Sequence, residues 1–150
     1  MLDSAAMAVE VVLVPPEECL PVRCEVLRPG LPEEQSVYAE DSDERSTHYA
    51  VKKGKQTLGV ISLLHDQRGG VGSEMWRIRG LAVREEHRKQ GHGGKLIEMA
   101  KAIAGRRGGG VWANVRTTAQ DFYAAHGFVP EGEVFDLPGI GPHVVMTWRP

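Results

Sequence analysis

Residues 80–100 read GLAVREEHRKQGHGGKLIEMA, and the order of the parts decides the fold. An apolar run closes at Val83. The polar turn Arg84-Glu85-Glu86-His87 follows, then Arg88-Lys89-Gln90-Gly91-His92-Gly93-Gly94-Lys95. Leu96, Met99, Ala100, Ile103 and Ala104 then recur at i, i+3, i+4, i+7 and i+8, the stripe of an amphipathic helix. The stretch is strand, glycine-rich turn, helix. Glycines let the backbone approach an oxyanion and aim successive N–H groups at it, and the helix N-terminus adds its dipole. Arg88, Lys89 and Lys95 surround the turn with positive charge, which suits a pyrophosphate. The Lys-Ser/Thr pair of a P-loop is missing, and the strand belongs to a meander, so neither nucleotide-binding motif applies.

Downstream, Gly108-Gly109-Gly110 stops the helix and Val111 to Arg116 reads as a short strand. Ala119, Phe122, Tyr123 and His126 mark a second helix that Gly127 caps. Two last strands, Phe128 to Phe135 and His143 to Trp148, flank the turn from Asp136 to Pro142. Upstream, Val9 to Val14 reads as a strand closed by Pro15-Pro16. Helical spacing runs from Pro16 to Leu27, with Pro21 expected to break or kink it. An acidic loop then leads to two strand-like runs, Thr47 to Lys53 and Thr57 to His65, joined across Lys53-Gly54-Lys55. Arg68-Gly69-Gly70 punctuates before a third run, Glu74 to Val83. The expected order is β-α-βββ-α-β-α-ββ, a mixed α/β fold, with residues 1–150 forming one domain.

Composition excludes several classes. Of 150 residues, 41% are hydrophobic and 25% charged, so neither disorder nor a fibrous repeat fits. The formal charge is −2, which argues against a nucleic-acid partner. Glycine is in excess at 18 residues, as a chain needing tight turns or close backbone approach would have. Charge is uneven: residues 76–107 hold nine bases and three acids, while residues 31–50 hold six acids and one base. Cys19 and Cys24 cannot frame a disulfide scaffold, which points to a reducing, cytoplasmic setting. The first residues lack the basic flank of a signal peptide, and no apolar run reaches the ~18 residues of a membrane span. No Cys/His cluster suggests a metal site.

The loop GLAVREEHRKQGHGGKLIEMA resembles the coenzyme A pyrophosphate loop of the GNAT superfamily of N-acetyltransferases. AQDFYAAHGF resembles that superfamily's second signature, a helix carrying a tyrosine and ending in Gly-Phe. The resemblance implies a GNAT fold: a mixed, mostly antiparallel central sheet of six to seven strands flanked by helices. It implies acetyl-CoA as cosubstrate. Backbone groups of Leu81, Ala82 and Val83 would hold the pantetheine arm, and Arg88, Lys89, Gln90, Gly91, His92, Gly93, Gly94 and Lys95 the pyrophosphate. Tyr123 would stand near the thioester sulfur and protonate the leaving thiolate.

Four more segments, VLRPG, RIRGLAV, WANVRTTA and PGIGPHVVM, look like the glyphosate N-acetyltransferase-type branch. That likeness implies a substrate pocket lined by Arg28, Arg79 and Arg116, with His143 taking the proton from the attacking amine. Ala113 stands where the branch usually has cysteine. Arginine forks onto carboxylate, phosphonate or phosphate and never deprotonates, so the residue types favour a small anionic amine such as an amino acid or aminophosphonate. Imidazole titrates near neutrality, as a general base should. Attack would be direct, with a strand N–H near Leu81 as oxyanion donor and no metal. Two other classes stay open at this point: a catalytically silent acyl-CoA-binding or sensor module, and a transferase acting on protein N-termini or lysines. A homodimer is compatible with the sequence.

Overall fold

The computed structural model of the chain describes residues 8–66 and 75–150. The expected turn at Arg68-Gly69-Gly70 and the start of the third meander strand at Glu74 lie outside the described residues. The order of elements is β1 (Val9–Val14), α1 (Leu20–Leu27), β2 (Thr47–Lys53), β3 (Gln56–Leu64), β4 (Met75–Val83), α2 (His92–Arg106), β5 (Gly110–Arg116), α3 (Gln120–Ala125), β6 (Val129–Leu137) and β7 (Gly141–Trp148). Among the described residues, seven strands make one sheet in the order β1-β2-β3-β4-β5-β7-β6. Every pairing is antiparallel except β4 with β5. This is the GNAT-type α/β fold that the signatures imply.

Burial follows the two periods of the sequence. The stripe of α2 lies on one sheet face, with Leu96, Ile97, Ala100 and Ala104 at 0% exposure against Val51, Ile61, Leu63 and Val111. Complete burial of Leu96 or Ile97 stabilises by roughly 1.5–3 kcal/mol each. Helix α1 covers the opposite face, where Cys19 and Val22 meet Val14, Ala50, Val60 and Ala82. Strand β3 is therefore buried on both sides, which is why GVISLL reads as a continuous apolar run.

Three boundaries differ from expectation. The first helix does not span Pro16 to Leu27: a 3-10 turn, Pro16–Glu18, precedes α1. Pro21 thus falls in the first turn of α1, where a missing N–H costs nothing, and no kink results. The acidic loop contains two 3-10 turns, Glu33–Ser36 and Ala39–Ser42. The last hairpin is longer than expected, since Asp136 pairs with Pro142 and Leu137 with Gly141. The tight turn needs only the residues between them.

Two features of β4 position the site. It pairs with β5 only at Met75↔Gly110, Trp76↔Val111 and Arg77↔Trp112, so from Ile78 onward the strands part. On its other side the register jumps, with Val60 opposite Ala82 but Ser62 opposite Arg79. Gly80 and Leu81 thus share a bulge opposite Ile61. Gly80 has φ +70, and a Cβ there would meet the Tyr38 ring at 3.0 Å and Arg23 Nε at 3.1 Å. Both the backbone angle and the crowding demand glycine. No helix among the described residues is long and apolar enough to cross a membrane.

Candidate active site

Where β4 and β5 part, a cavity of about 310 Å³ opens. Arg28, Arg79, Arg116, Tyr123, His143 and Leu81 all line it. Arg28 caps the C-terminus of α1, one residue past Leu27, so the proline in the first turn leaves its placement undisturbed. Arg79 projects from β4 just before the bulge, and Arg116 ends β5 directly opposite His143 of β7. Tyr123 comes from α3. Five separate stretches of chain therefore converge. A second cavity of about 430 Å³ adjoins the first and shares Leu27, Arg28, Arg116 and Ile140 with it.

The electrostatics of each group differ. His143 is 4% exposed, and its Nδ1 lies 2.8 Å from the carbonyl oxygen of Gly141. A carbonyl can only accept, so Nδ1 carries the proton and Nε2 of the neutral ring is left as an acceptor. Tyr123 is also buried, and burial alone pushes its phenol up to about 12. It is therefore protonated at neutral pH and can donate. Its hydroxyl bonds to no protein group among the described residues, while its ring packs edge-on against Phe122 and Phe128.

The three arginines are little neutralised. Arg116 is exposed and makes no ion pair or hydrogen bond among the described residues. Arg28 spends one N–H on the Leu27 carbonyl at 3.0 Å. Arg79 stacks on the Tyr38 ring at 3.9 Å, and burial first, then the nearby Arg77 charge, lowers its pKa. Arg77 also lines the cavity but is held by Asp66 at 3.1 Å and by the Trp112 face. The cavity is therefore electropositive, with no carboxylate among its described lining residues.

The glycine-rich turn is built as the sequence expects, and its side chains divide by role. Gly91 caps α2 at φ +83, and Lys89 is the one described non-glycine residue with positive φ, at 62. Such left-handed steps turn backbone N–H groups to a common side. A Cβ on Gly91 would meet nothing within 4 Å, so the space beside it is open. Lys89, Gln90 and Lys95 are exposed. Arg88 is exposed too, but its Nε donates to the Val83 carbonyl at 3.1 Å and braces the loop on β4. His92 turns inward, 5% exposed, with Nε2 at 3.1 Å from Gln90 Oε1. Ala82 points its side chain into the core against α1, so only its backbone is free to touch a ligand. The geometry therefore fits a pyrophosphate through backbone amides and exposed bases.

Sequence reasoning missed Tyr38, which lines the cavity from the acidic segment, and the buried group beneath it. Arg23 is 1% exposed and forks onto Asp41 at 2.7 and 2.9 Å. It also reaches the Ser36 carbonyl at 2.9 Å and Ser62 Oγ at 2.7 Å. One signal was present: Arg23 is a charge within the apolar face of Cys19, Val22 and Val26. Among the described residues, no three His, Cys, Asp or Glu side chains are grouped to hold a metal ion.

Comparison with known proteins agrees with this geometry. The profile of the acetyltransferase (GNAT) domain matches residues 44–130. The uncharacterized N-acetyltransferase YitI of Bacillus subtilis is 34% identical over 139 residues, covering 91% of this chain and 93% of YitI. An acyl-CoA N-acyltransferase from Pseudomonas aeruginosa superposes with a TM-score of 0.76 at 23% identity, covering 95% of this chain and 100% of the other. An aminoglycoside 6′-N-acetyltransferase complexed with coenzyme A gives 0.69 at 16% identity, covering 92% and 95%. Those two structures carry the fold alone. The profile and the Bacillus relative carry more: the chain belongs to the GNAT acetyltransferases and is an acyl-CoA-dependent N-acetyltransferase.

Proposed function

We propose that the enzyme transfers acetyl from acetyl-CoA to the amine of a small anionic metabolite, an amino acid or an aminophosphonate-like compound. One observation carries this reading: Arg28, Arg79 and Arg116, from three elements, line the same cavity as His143 and Tyr123. Guanidinium groups bind two oxygens at once and stay charged, so such a lining attracts a carboxylate or phosphonate and repels a polycation. The likeness of the four arginine- and histidine-bearing segments to the glyphosate N-acetyltransferase-type branch supports the same choice.

In this reading the arginines fix the anionic end and present the amine to His143. Nε2 of His143 accepts the amine proton as nitrogen attacks the thioester carbonyl directly. A backbone N–H near Leu81, freed by the bulge and by the parting of the strands, stabilises the developing oxyanion. Tyr123 gives its phenolic proton to the departing thiolate. Acetyl-CoA supplies the activated acetyl group. The backbone of Leu81, Ala82 and Val83 would hold its pantetheine arm, and residues 88–95 its pyrophosphate. A cytoplasmic location completes the proposal; a homodimer stays compatible with it. For the first, both cysteines are free, and burial pushes the Cys19 thiol up to about 11, which leaves it inert.

Acetyl-CoA-dependent thiol release across a panel of amino acids, aminophosphonates and aminoglycosides tests the acceptor. Release with the first two groups is expected. Release with aminoglycosides or peptides alone would overturn the reading. The loop has its own test. In Gly93→Val a branched side chain enters a space where even a Cβ would lie 3.4 Å from the Phe122 ring and 4.0 Å from Val83. Acetyl-CoA affinity is expected to fall at least about tenfold, near 1.4 kcal/mol. Unchanged affinity by calorimetry in folded protein would remove the pyrophosphate from this loop.

A further inference from the structure

The ring of Tyr38 lies against two guanidinium groups. The Arg23 guanidinium carbon sits 4.0 Å from the ring centroid and that of Arg79 3.9 Å. Both distances are well inside the range where a cation is attracted by the face of an aromatic ring. The inner partner is locked, because Arg23 is buried and held by Asp41, Ser36 and Ser62. Asp41 also accepts the backbone N–H of Tyr38 at 2.9 Å, so one carboxylate fixes both the ring's own backbone and the cation beneath it. Gly80, by having no Cβ, leaves the room this stack occupies. The outer partner is different. Arg79 makes no hydrogen bond or ion pair to protein among the described residues, so its planar fork is aligned by the ring while its N–H donors remain available to the cavity.

The same ring is a wall. Tyr38 lines both the acceptor cavity and a second cavity of about 500 Å³, lined by Pro16, Leu20, Val37 and Ala39 and by the polar Glu17, Asp41 and Ser42. That space is mostly apolar, and nothing in the proposed chemistry uses it.

We propose that Tyr38 is a positioning and specificity-determining residue: its ring aims the Arg79 guanidinium at the acceptor's anionic group and closes the acceptor cavity against the second, mostly apolar space. The proposal rests on the functional reading above for the identity of the acceptor. Its first consequence, the alignment of Arg79, does not. Loss of the ring releases Arg79 and joins the two cavities. Acceptors with a longer apolar side chain then gain room, and small ones lose a fixed anion partner.

The test compares wild type, Tyr38→Ala and Tyr38→Phe. Phenylglyoxal, which labels accessible guanidinium groups, is followed by peptide mass spectrometry. Arg79 is expected to react at least about fivefold faster in Tyr38→Ala, while Arg28 and Arg116 keep their rates. Steady-state kinetics are expected to show the KM for alanine rising about tenfold with little change in kcat, because a ground-state contact is lost. The kcat/KM ratio of phenylalanine over alanine is expected to rise by about tenfold, as extra space in an apolar pocket provides. Tyr38→Phe keeps the aromatic face and restores the wild-type labelling rate, KM and selectivity; a merely structural role would not produce that pattern. Unchanged Arg79 labelling in Tyr38→Ala, or a Tyr38→Phe protein that behaves like Tyr38→Ala, overturns the proposal. Should Tyr38→Ala not fold, Tyr38→Leu removes the aromatic face while keeping bulk, and its Arg79 labelling rate and alanine KM are read the same way. If wild type acetylates no anionic amine, the functional reading fails and the labelling rates alone decide the role of Tyr38.

Discussion

In His143→Ala, kcat is expected to fall by roughly 10²–10⁴, the usual cost of losing a general base. The argument starts from the hydrogen bond between Nδ1 and the Gly141 carbonyl, which leaves Nε2 as the proton acceptor facing the cavity. Alanine keeps the strand and removes the acceptor. Acetyl-CoA affinity should change little, since His143 is assigned to the acceptor and not to the glycine-rich turn. Arg116→Ala is the contrasting case. Its contact with the anion exists in ground and transition states alike, so KM should rise while kcat holds. Stopped-time thiol assays separate the two. Near-normal kcat in His143→Ala would move the base to another group, such as water near Asp136 or Glu133.

The fold was legible where local period and global position agree. The α2 stripe, the glycine-rich turn and the alternating strands are each encoded over a few residues, and each is found where expected. Arg28, Arg79, Arg116, Tyr123 and His143 were legible through motif likeness, and one cavity does gather them. The bulge at Gly80 was half legible: a glycine in a strand marks a weak point, but only the pairing of its neighbours, Arg79 with Ser62 and Ala82 with Val60, sets the geometry. The anchoring beneath the cavity was barely legible: Arg23 stood out as a charge on an apolar face, but its partner did not. Arg23 and Asp41 are 18 residues apart, on a helix and in an acidic loop, and no helical or strand period joins them. Their contact depends on how the loop folds over the sheet. An acidic run reads as a solvated surface, yet Asp41 is 7% exposed and does the opposite. Pro21 misled for a related reason, since its cost depends on a helix start that only the preceding 3-10 turn defines.

Asp41→Asn is expected to cost about 3–5 kcal/mol, the usual result of leaving one member of a buried ion pair without its counter-charge. Arg23 would keep its bonds to Ser36 and Ser62 but lose both charged acceptors. Acid should reproduce part of the loss in wild type, and the sign follows from two groups. Burial pushes the Asp41 carboxyl upward, but the Arg23 hydrogen bonds, the Tyr38 N–H and the charges of Arg23 and His48 more than reverse this, so it lies below its ordinary 3.8. Its stabilisation is complete above that value and is lost as pH falls through the lower folded value. His48 is buried, with Nδ1 at 2.6 Å from Ser62 Oγ. Burial chiefly lowers it from 6.5, against a pull upward from Asp41. The unfolded chain therefore takes up that proton first, and stability begins to decline as pH drops below 6.5. Wild type should thus weaken in two steps, one below 6.5 from His48 and one below 3.8 from Asp41. Asp41→Asn starts lower and lacks the second step. A paired replacement, Arg23→Met with Asp41→Leu, should recover most of the loss at neutral pH, because no charge is then left buried alone. Urea midpoints from pH 7 to pH 3 read all three proteins. Parallel curves for wild type and Asp41→Asn below pH 4, or a single-variant loss under about 1 kcal/mol, would show that the pair is not what holds the acidic segment over the cavity.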